Sequence, residues 1–143
     1  MFLGEFQHSL DAKGRLTLPA KFRDALADGL VITKGMENCL FVFSRSEWPS
    51  LQDKVQSLPM IKKDARKFTR FFFGGAMEED LDKQGRVLIP ENLRQYAQLN
   101  REVVIIGVSN RLEVWNKENW EEYVKEAESS YVEVAEELTD LGL

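Results

Sequence analysis

Short apolar and polar segments broken by turn residues organise the first third of the chain. Glu5 to Leu10 reads as a strand, and Arg15 to Leu18 alternates polar and apolar side chains as a second strand would. Between them Asp11-Ala12-Lys13-Gly14 reads as a tight turn, the aspartate bonding local backbone and the glycine accepting a positive φ. Pro19 opens a short helix at its first turn, where its missing N–H does no harm. Lys21 to Ala27 sets Phe22, Ala25 and Leu26 on one face of it. Leu30 to Thr33 and Leu40 to Phe43 read as strands around a turn at Gly35 to Asn38. Ser44 or Ser46 then caps a helix that has Pro49 near its start and carries Trp48 and Leu51.

The plan returns later in the chain. Val103 to Val108 is a strand rich in β-branched residues. Ser109-Asn110-Arg111 turns, Leu112 to Trp115 comes back, and Asn116 caps a helix with Trp120, Tyr123, Val124 and Ala127. Between the two plans, the pattern predicts a helix over Pro59 to Phe73, ended by Gly74-Gly75.

The similarity extends to residue identity. Leu10, Asp11, Gly14, Arg15, Pro19 and Arg23 match Leu81, Asp82, Gly85, Arg86, Pro90 and Arg94 at an offset of 71. After one inserted residue the offset is 72, and Val31, Gly35, Asn38, Leu40, Val42 and Trp48 match Val103, Gly107, Asn110, Leu112, Val114 and Trp120. Identities in one order with a single gap mark an internal duplication, and the period is too long for a solenoid. Units of roughly 50 residues bury too little surface to stand alone, so they must pack together or oligomerise.

Hydrophobic residues make up 43% and charged residues 30%, which places the chain among globular rather than disordered proteins. Its single cysteine, Cys39, allows no intrachain disulfide and fits a reducing cytoplasm. The start lacks the charged and apolar regions of a signal peptide. No apolar stretch approaches the ~18–20 residues that cross a bilayer. The expectation is a cytoplasmic protein with no membrane partner.

A net charge of −5 argues at first against nucleic acid. Its distribution reverses that. Residues 113–143 hold ten acids and two lysines, so residues 1–112 are net +3, and local patches decide binding. The linking helix carries Lys62, Lys63, Arg66, Lys67 and Arg70 against the lone acid Asp64. That stripe could contact phosphate or pair with acids of a neighbour. Met60, Ile61, Phe68 and Phe71 to Phe73 favour packing between units or subunits. In the tail, Tyr131, Val134 and Leu138 recur at helical spacing, and its glutamates could pair with a neighbour's basic helix or stay in solvent.

Catalytic chemistry finds no footing. His8 lies alone on a strand with no second ligand at metal spacing, and Cys39 beside Leu40 and Phe41 reads as a small buried side chain. No glycine pattern matches a phosphate loop. Asp11 and Asp82 share a turn context that suits backbone capping better than acid–base work. The chain is therefore read as a non-enzyme without metal, cofactor or small-molecule substrate. The repeated Asp-x-x-Gly-Arg remains. Asp and Gly explain a hairpin turn, whereas an exposed strand does not require arginine. An arginine on a rigid turn can fork onto phosphate or onto guanine O6 and N7. Arg15 and Arg86 are thus candidate DNA-binding residues, with Lys13 and Lys83 adding charge. Asp11, Gly14, Asp82 and Gly85 build the turns.

The runs Met1 to Glu5, Leu10 to Pro19, Asp64 to Phe73, Leu81 to Ile89 and Val104 to Asn110 resemble the MraZ family of bacterial regulators, over roughly residues 1–125. The resemblance implies an α+β, β-rich fold, an internally duplicated AbrB-like swapped-hairpin barrel with flanking helices. It implies DNA-binding units at 1–53 and 76–125, a basic and aromatic link at 54–75, and an acidic helix or tail at 126–143. It implies a ring-like homo-oligomer on the nucleoid that binds short direct repeats in double-stranded promoter DNA and represses the division and cell wall gene cluster. The family's signature Asp and Arg fall on Asp11 and Arg15, and on Asp82 and Arg86. A competing reading is an assembly protein whose units bind a protein partner, as in AbrB-like antitoxins.

Overall fold

The computed structural model describes residues 1–138 and residue 142. The first half runs β1 (Phe2–Ser9), β2 (Arg15–Thr17), α1 (Ala20–Arg23), β3 (Leu30–Lys34), β4 (Leu40–Ser44) and α2 (Trp48–Gln56). α3 (Lys63–Gly74) leads into β5 (Met77–Glu79), β6 (Arg86–Leu88), α4 (Glu91–Tyr96), β7 (Glu102–Ser109), β8 (Leu112–Asn116) and α5 (Lys117–Glu137).

The halves exchange their first strands. β1 pairs antiparallel with β7 of the second half, and β5 pairs antiparallel with β3 of the first. β4 meets β8 in the middle, giving one sheet in the order β1-β7-β8-β4-β3-β5. β2 and β6 form a separate antiparallel ribbon with Leu16 opposite Val87. Exchanging each element for its repeat partner reverses the sheet order onto itself, so an approximate two-fold axis passes between β4 and β8 and between β2 and β6. This is the duplicated, swapped-hairpin α+β architecture.

One core follows from the exchange. Leu16, Leu18 and Phe22 of the first half and Val87, Ile89 and Leu93 of the second are buried together. Each such side chain gains roughly 1.5–3 kcal/mol from leaving water. A second cluster forms where Trp48 of α2 and Phe68, Phe72 and Phe73 of α3 pack with Phe43 and Val55. Buried Thr33 donates its hydroxyl to the Phe72 carbonyl at 2.6 Å, tying α3 to β3.

Local boundaries differ from the sequence pattern in informative ways. β1 starts at Phe2 because β7 supplies partners as far as Ser109. α3 starts at Lys63, since Pro59 to Lys62 closes a turn and Lys62 is extended. Gly75, at the end of α3, has φ −87° and is not left-handed. A side chain there would press on the Phe71 carbonyl and on Lys34. Glu47 rather than Ser44 or Ser46 stands at the α2 N-cap, while Ser44 Oγ accepts the Glu47 N–H at 3.2 Å. Asn116 does cap α5, taking the Asn119 N–H at 2.9 Å. α5 runs unbroken across the 125/126 position, and Tyr131, Val134 and Leu138 are exposed in the single chain. Among the described residues no helix is long and apolar enough to cross a membrane.

Candidate nucleic-acid interface

The two Asp-x-x-Gly-Arg turns have almost the same geometry. Asp11 Oδ1 accepts the backbone N–H of Lys13 and of Arg15, both at 2.9 Å, and Oδ2 accepts Arg15 Nε at 2.7 Å. Asp82 Oδ1 accepts the N–H of Gln84 at 2.9 Å and of Arg86 at 2.8 Å, and Oδ2 accepts Arg86 Nε at 2.7 Å. Each carboxylate is held below its ordinary pKa. The main cause is the arginine's backbone N–H; the guanidinium bond and the other N–H add to it and outweigh partial dehydration. Gly14 at φ 79° and Gly85 at φ 75° both occupy the left-handed region.

The turns lock onto each other's half. Leu18 N–H donates to the Gly85 carbonyl at 3.0 Å, and Ile89 N–H donates to the Gly14 carbonyl at 2.9 Å. Arg94 of α4 crosses to Gly14, and Arg23 of α1 crosses to Gly85, so closely that a Cβ on either glycine would strike the guanidinium. Arg23 donates twice to the Leu18 carbonyl and Arg94 once to the Ile89 carbonyl. Sequence comparison marks this arginine pair as identical but shows no role for it. Its role depends on the strand exchange, which puts each α-helix arginine under the opposite turn.

Arg15 and Arg86 share the β2–β6 ribbon, where Arg15 lies opposite Leu88 and Arg86 opposite Thr17. Both are half-buried, and their terminal guanidinium nitrogens have no hydrogen-bond partner among the described residues. Lys13 and Lys83 are exposed on the turns. A groove of about 770 Å³ next to the first turn brings Arg15, Arg86, Arg94 and Arg101 together with Asp11 and Thr17. Arg101 was not singled out by sequence pattern; it lies in the stretch between Arg94 and Val103 where the offset of the repeat changes from 71 to 72. Hydrogen bonds to Asp11, Asp82 and the Ile89 carbonyl hold the Arg15, Arg86 and Arg94 guanidinium groups in place beside the exposed Arg101.

Other candidates lie elsewhere. His8 is half-buried with its pKa lowered by burial and then by Arg23. Cys39 is buried and its thiol is pushed up, chiefly by burial. The basic helix packs its aromatic face on the first half, leaving Lys62, Lys63, Lys67 and Arg70 exposed. Arg66 bonds the Met60 and Ile61 carbonyls.

The family model described as "MraZ protein, putative antitoxin-like" matches the chain twice, over residues 1–71 and 72–142. Relatives agree over the whole length. The transcriptional regulator MraZ of Natranaerobius thermophilus is 54% identical over 143 residues, covering 100% of both chains. That of Syntrophomonas wolfei is also 54% identical with complete coverage. That of Desulforamulus reducens is 53% identical over 141 residues, 99% of each chain.

Proposed function

The chain belongs to the MraZ family, and on that premise we propose that it is a sequence-specific DNA-binding transcription regulator, a repressor of the division and cell wall gene cluster containing its own gene. The relatives' name supports the regulatory role. The single observation that carries DNA binding is the pair of aspartate-held arginines on one ribbon, related by the approximate two-fold. Duplex DNA has a matching pseudo-symmetry, so paired readers suit it. Arg15 and Arg86 read base edges, and Lys13 and Lys83 contact phosphate. Asp11, Gly14, Asp82 and Gly85 hold the turns.

The regulator works on the nucleoid as a ring-like homo-oligomer over short promoter repeats. Exposed Met60, Ile61 and Phe71, at 81%, 88% and 61%, are apolar surface that assembly would cover. Linked readers gain avidity on repeated sites without new contacts. The test is Arg15→Ala and Arg86→Ala in gel-shift titrations against the promoter of its own operon at fixed salt. Each loses a bidentate base contact, about 1–3 kcal/mol, with unchanged circular dichroism. Wild-type affinity in both variants would sink the assignment.

A further inference from the structure

The two halves part company after α2 and its counterpart in α5. At the repeat offset of 72, Pro59 corresponds to Tyr131. In the first half α2 stops at Gln56 and the chain turns over Pro59 to Lys62. α3 then comes back and lays Phe72 on Trp48, with 5.7 Å between ring centres. A proline has no N–H and crowds the preceding helical turn, so it does not let a helix run on. In the second half no proline intervenes, and α5 continues to Glu137. Val124, Ala127, Tyr131, Val134 and Leu138 are spaced alternately by three and four residues, the seam of a helix that packs along another helix. None of the five is buried, and Tyr131, Val134 and Leu138 are exposed.

The first half carries a surface that complements this one. α3, the β3–β4 turn and α4 line a groove of about 330 Å³. Phe68, Phe71 and Met36 make its wall apolar, and Tyr96 is fixed there by donating its hydroxyl to the Gly35 carbonyl at 2.7 Å. Lys67 and Lys34 bring positive charge to it against one acid, Asp64, and Lys34 Nζ sits 4.7 Å from the Phe71 ring centre. Residues 60–71 hold five cations and that one acid, whereas residues 126–137 hold five glutamates and no cation. Among the described residues, neither those glutamates nor Lys34, Lys63, Lys67 and Arg70 are ion-paired.

Resting on the homo-oligomer proposed above, we propose that the C-terminal half of α5 in one copy lies along α3 of a second copy. Its seam enters the groove at Phe71 and Tyr96, and its glutamates face Lys34, Lys67 and Arg70. The contact takes out of water the apolar groups that both surfaces leave exposed in the single chain. Charge selects the partner. Two α5 helices side by side would set five glutamates against five, and like charges flanking a seam disfavour pairing. α3 offers the opposite sign, which steers the encounter and fixes the register. The two patches are different surfaces of one chain, so each copy gives its α5 to one neighbour and its α3 groove to another. Such a head-to-tail contact adds copies until it closes on itself. The cations of α3 are then engaged by protein, and the turn arginines are left to DNA.

Light scattering on the full chain tests this. Tyr131→Glu with Val134→Glu puts charge into the seam, and Lys67→Glu with Arg70→Glu reverses the charge beside the groove. All four side chains are exposed, so circular dichroism should match the wild type. At a concentration where the wild type assembles, each double variant alone should have the mass of one chain. Mixed one to one, they should give two chains and no more, because the first keeps its α3 and the second keeps its α5. Wild-type mass in either variant, or a mixture that stays monomeric, overturns the α5–α3 contact while the homo-oligomer stands. Loss of assembly in the seam variant alone would mean that α5 pairs with α5. Wild-type mass with weakened gel shifts in the Lys67→Glu, Arg70→Glu variant would give α3 to DNA. Either result also overturns the contact, and a monomeric wild type overturns it together with the homo-oligomer.

Discussion

Alanine at Gly14 measures how the turn and the opposite half hold each other. At φ 79° an L-residue is strained by roughly 1–2 kcal/mol. The new Cβ would also stand 2.8 Å from Arg94 Cζ and 2.9 Å from its Nε. Arg94 must then swing away and give up its 2.9 Å bond to the Ile89 carbonyl. For a half-buried group that bond contributes about 1 kcal/mol. Gly14→Ala should therefore cost about 2–3 kcal/mol in urea unfolding. In an Arg94→Ala background the crowding is gone, and the same substitution should cost only the backbone share of about 1–2 kcal/mol. The cycle of four proteins thus carries a coupling of about 1 kcal/mol. Gly85→Ala with Arg23→Ala is the internal replicate, and its coupling should be the larger because Arg23 gives up two bonds to the Leu18 carbonyl. Strict additivity in both cycles refutes the cross-half crowding. A Gly14→Ala cost below about 0.5 kcal/mol refutes the need for a left-handed residue.

Leu18→Ala and Leu93→Ala, fully buried in opposite halves, should each cost about 2–5 kcal/mol and move one unfolding transition seen alike by far-UV dichroism and tryptophan fluorescence; separate transitions would count against a shared core. Asp11 and Asp82 have depressed folded-state pKa values, so their stabilisation is present above the unfolded value of 3.8 and is lost as pH falls through the lower folded value. Asp11→Asn with Asp82→Asn should flatten the acid limb of a stability–pH curve below about pH 4, and an unaltered limb would remove the carboxylates from that role. Thr33→Val should cost about 0.5–1.5 kcal/mol and speed amide exchange in α3; equal exchange rates would show that the Thr33–Phe72 bond does not anchor the helix.

The repeat and its turns were readable because they depend on local chemistry. Asp11 and Gly14 are three apart, and the same pair recurs at Asp82 and Gly85. The bond from Arg to Asp, four residues apart, was also within reach of the sequence, since opposite charges at that spacing flank a turn that brings them together. β5 was not readable: Met77-Glu78-Glu79 is short and polar, and it is a strand because β3 offers it an edge. The positions of Arg23 and Arg94 were hidden for the same reason. Their partners are the glycines of the other half, and only the exchange of β1 and β5 creates that contact.

The aspartate bonds constrain how the proposed readers could meet a base. A guanidinium presents two parallel N–H pairs to a planar acceptor, one along its side using Nε and one across its end using both terminal nitrogens. Asp11 and Asp82 occupy Nε of Arg15 and Arg86 at 2.7 Å, so on the proposed function only the end-on pair remains for guanine O6 and N7. The same bonds hold the side chain before DNA arrives, which removes part of the roughly 2 kcal/mol of rotamer entropy an arginine would otherwise lose on binding. A lysine at either position keeps the charge but has neither the fork nor the Nε anchor. Asparagine at 11 or 82 retains an oxygen for the backbone N–H groups, yet it weakens the hold on Nε by removing the charge. The aspartate thus acts through the arginine: its loss should broaden base preference before it abolishes binding, whereas loss of the arginine removes the contact itself.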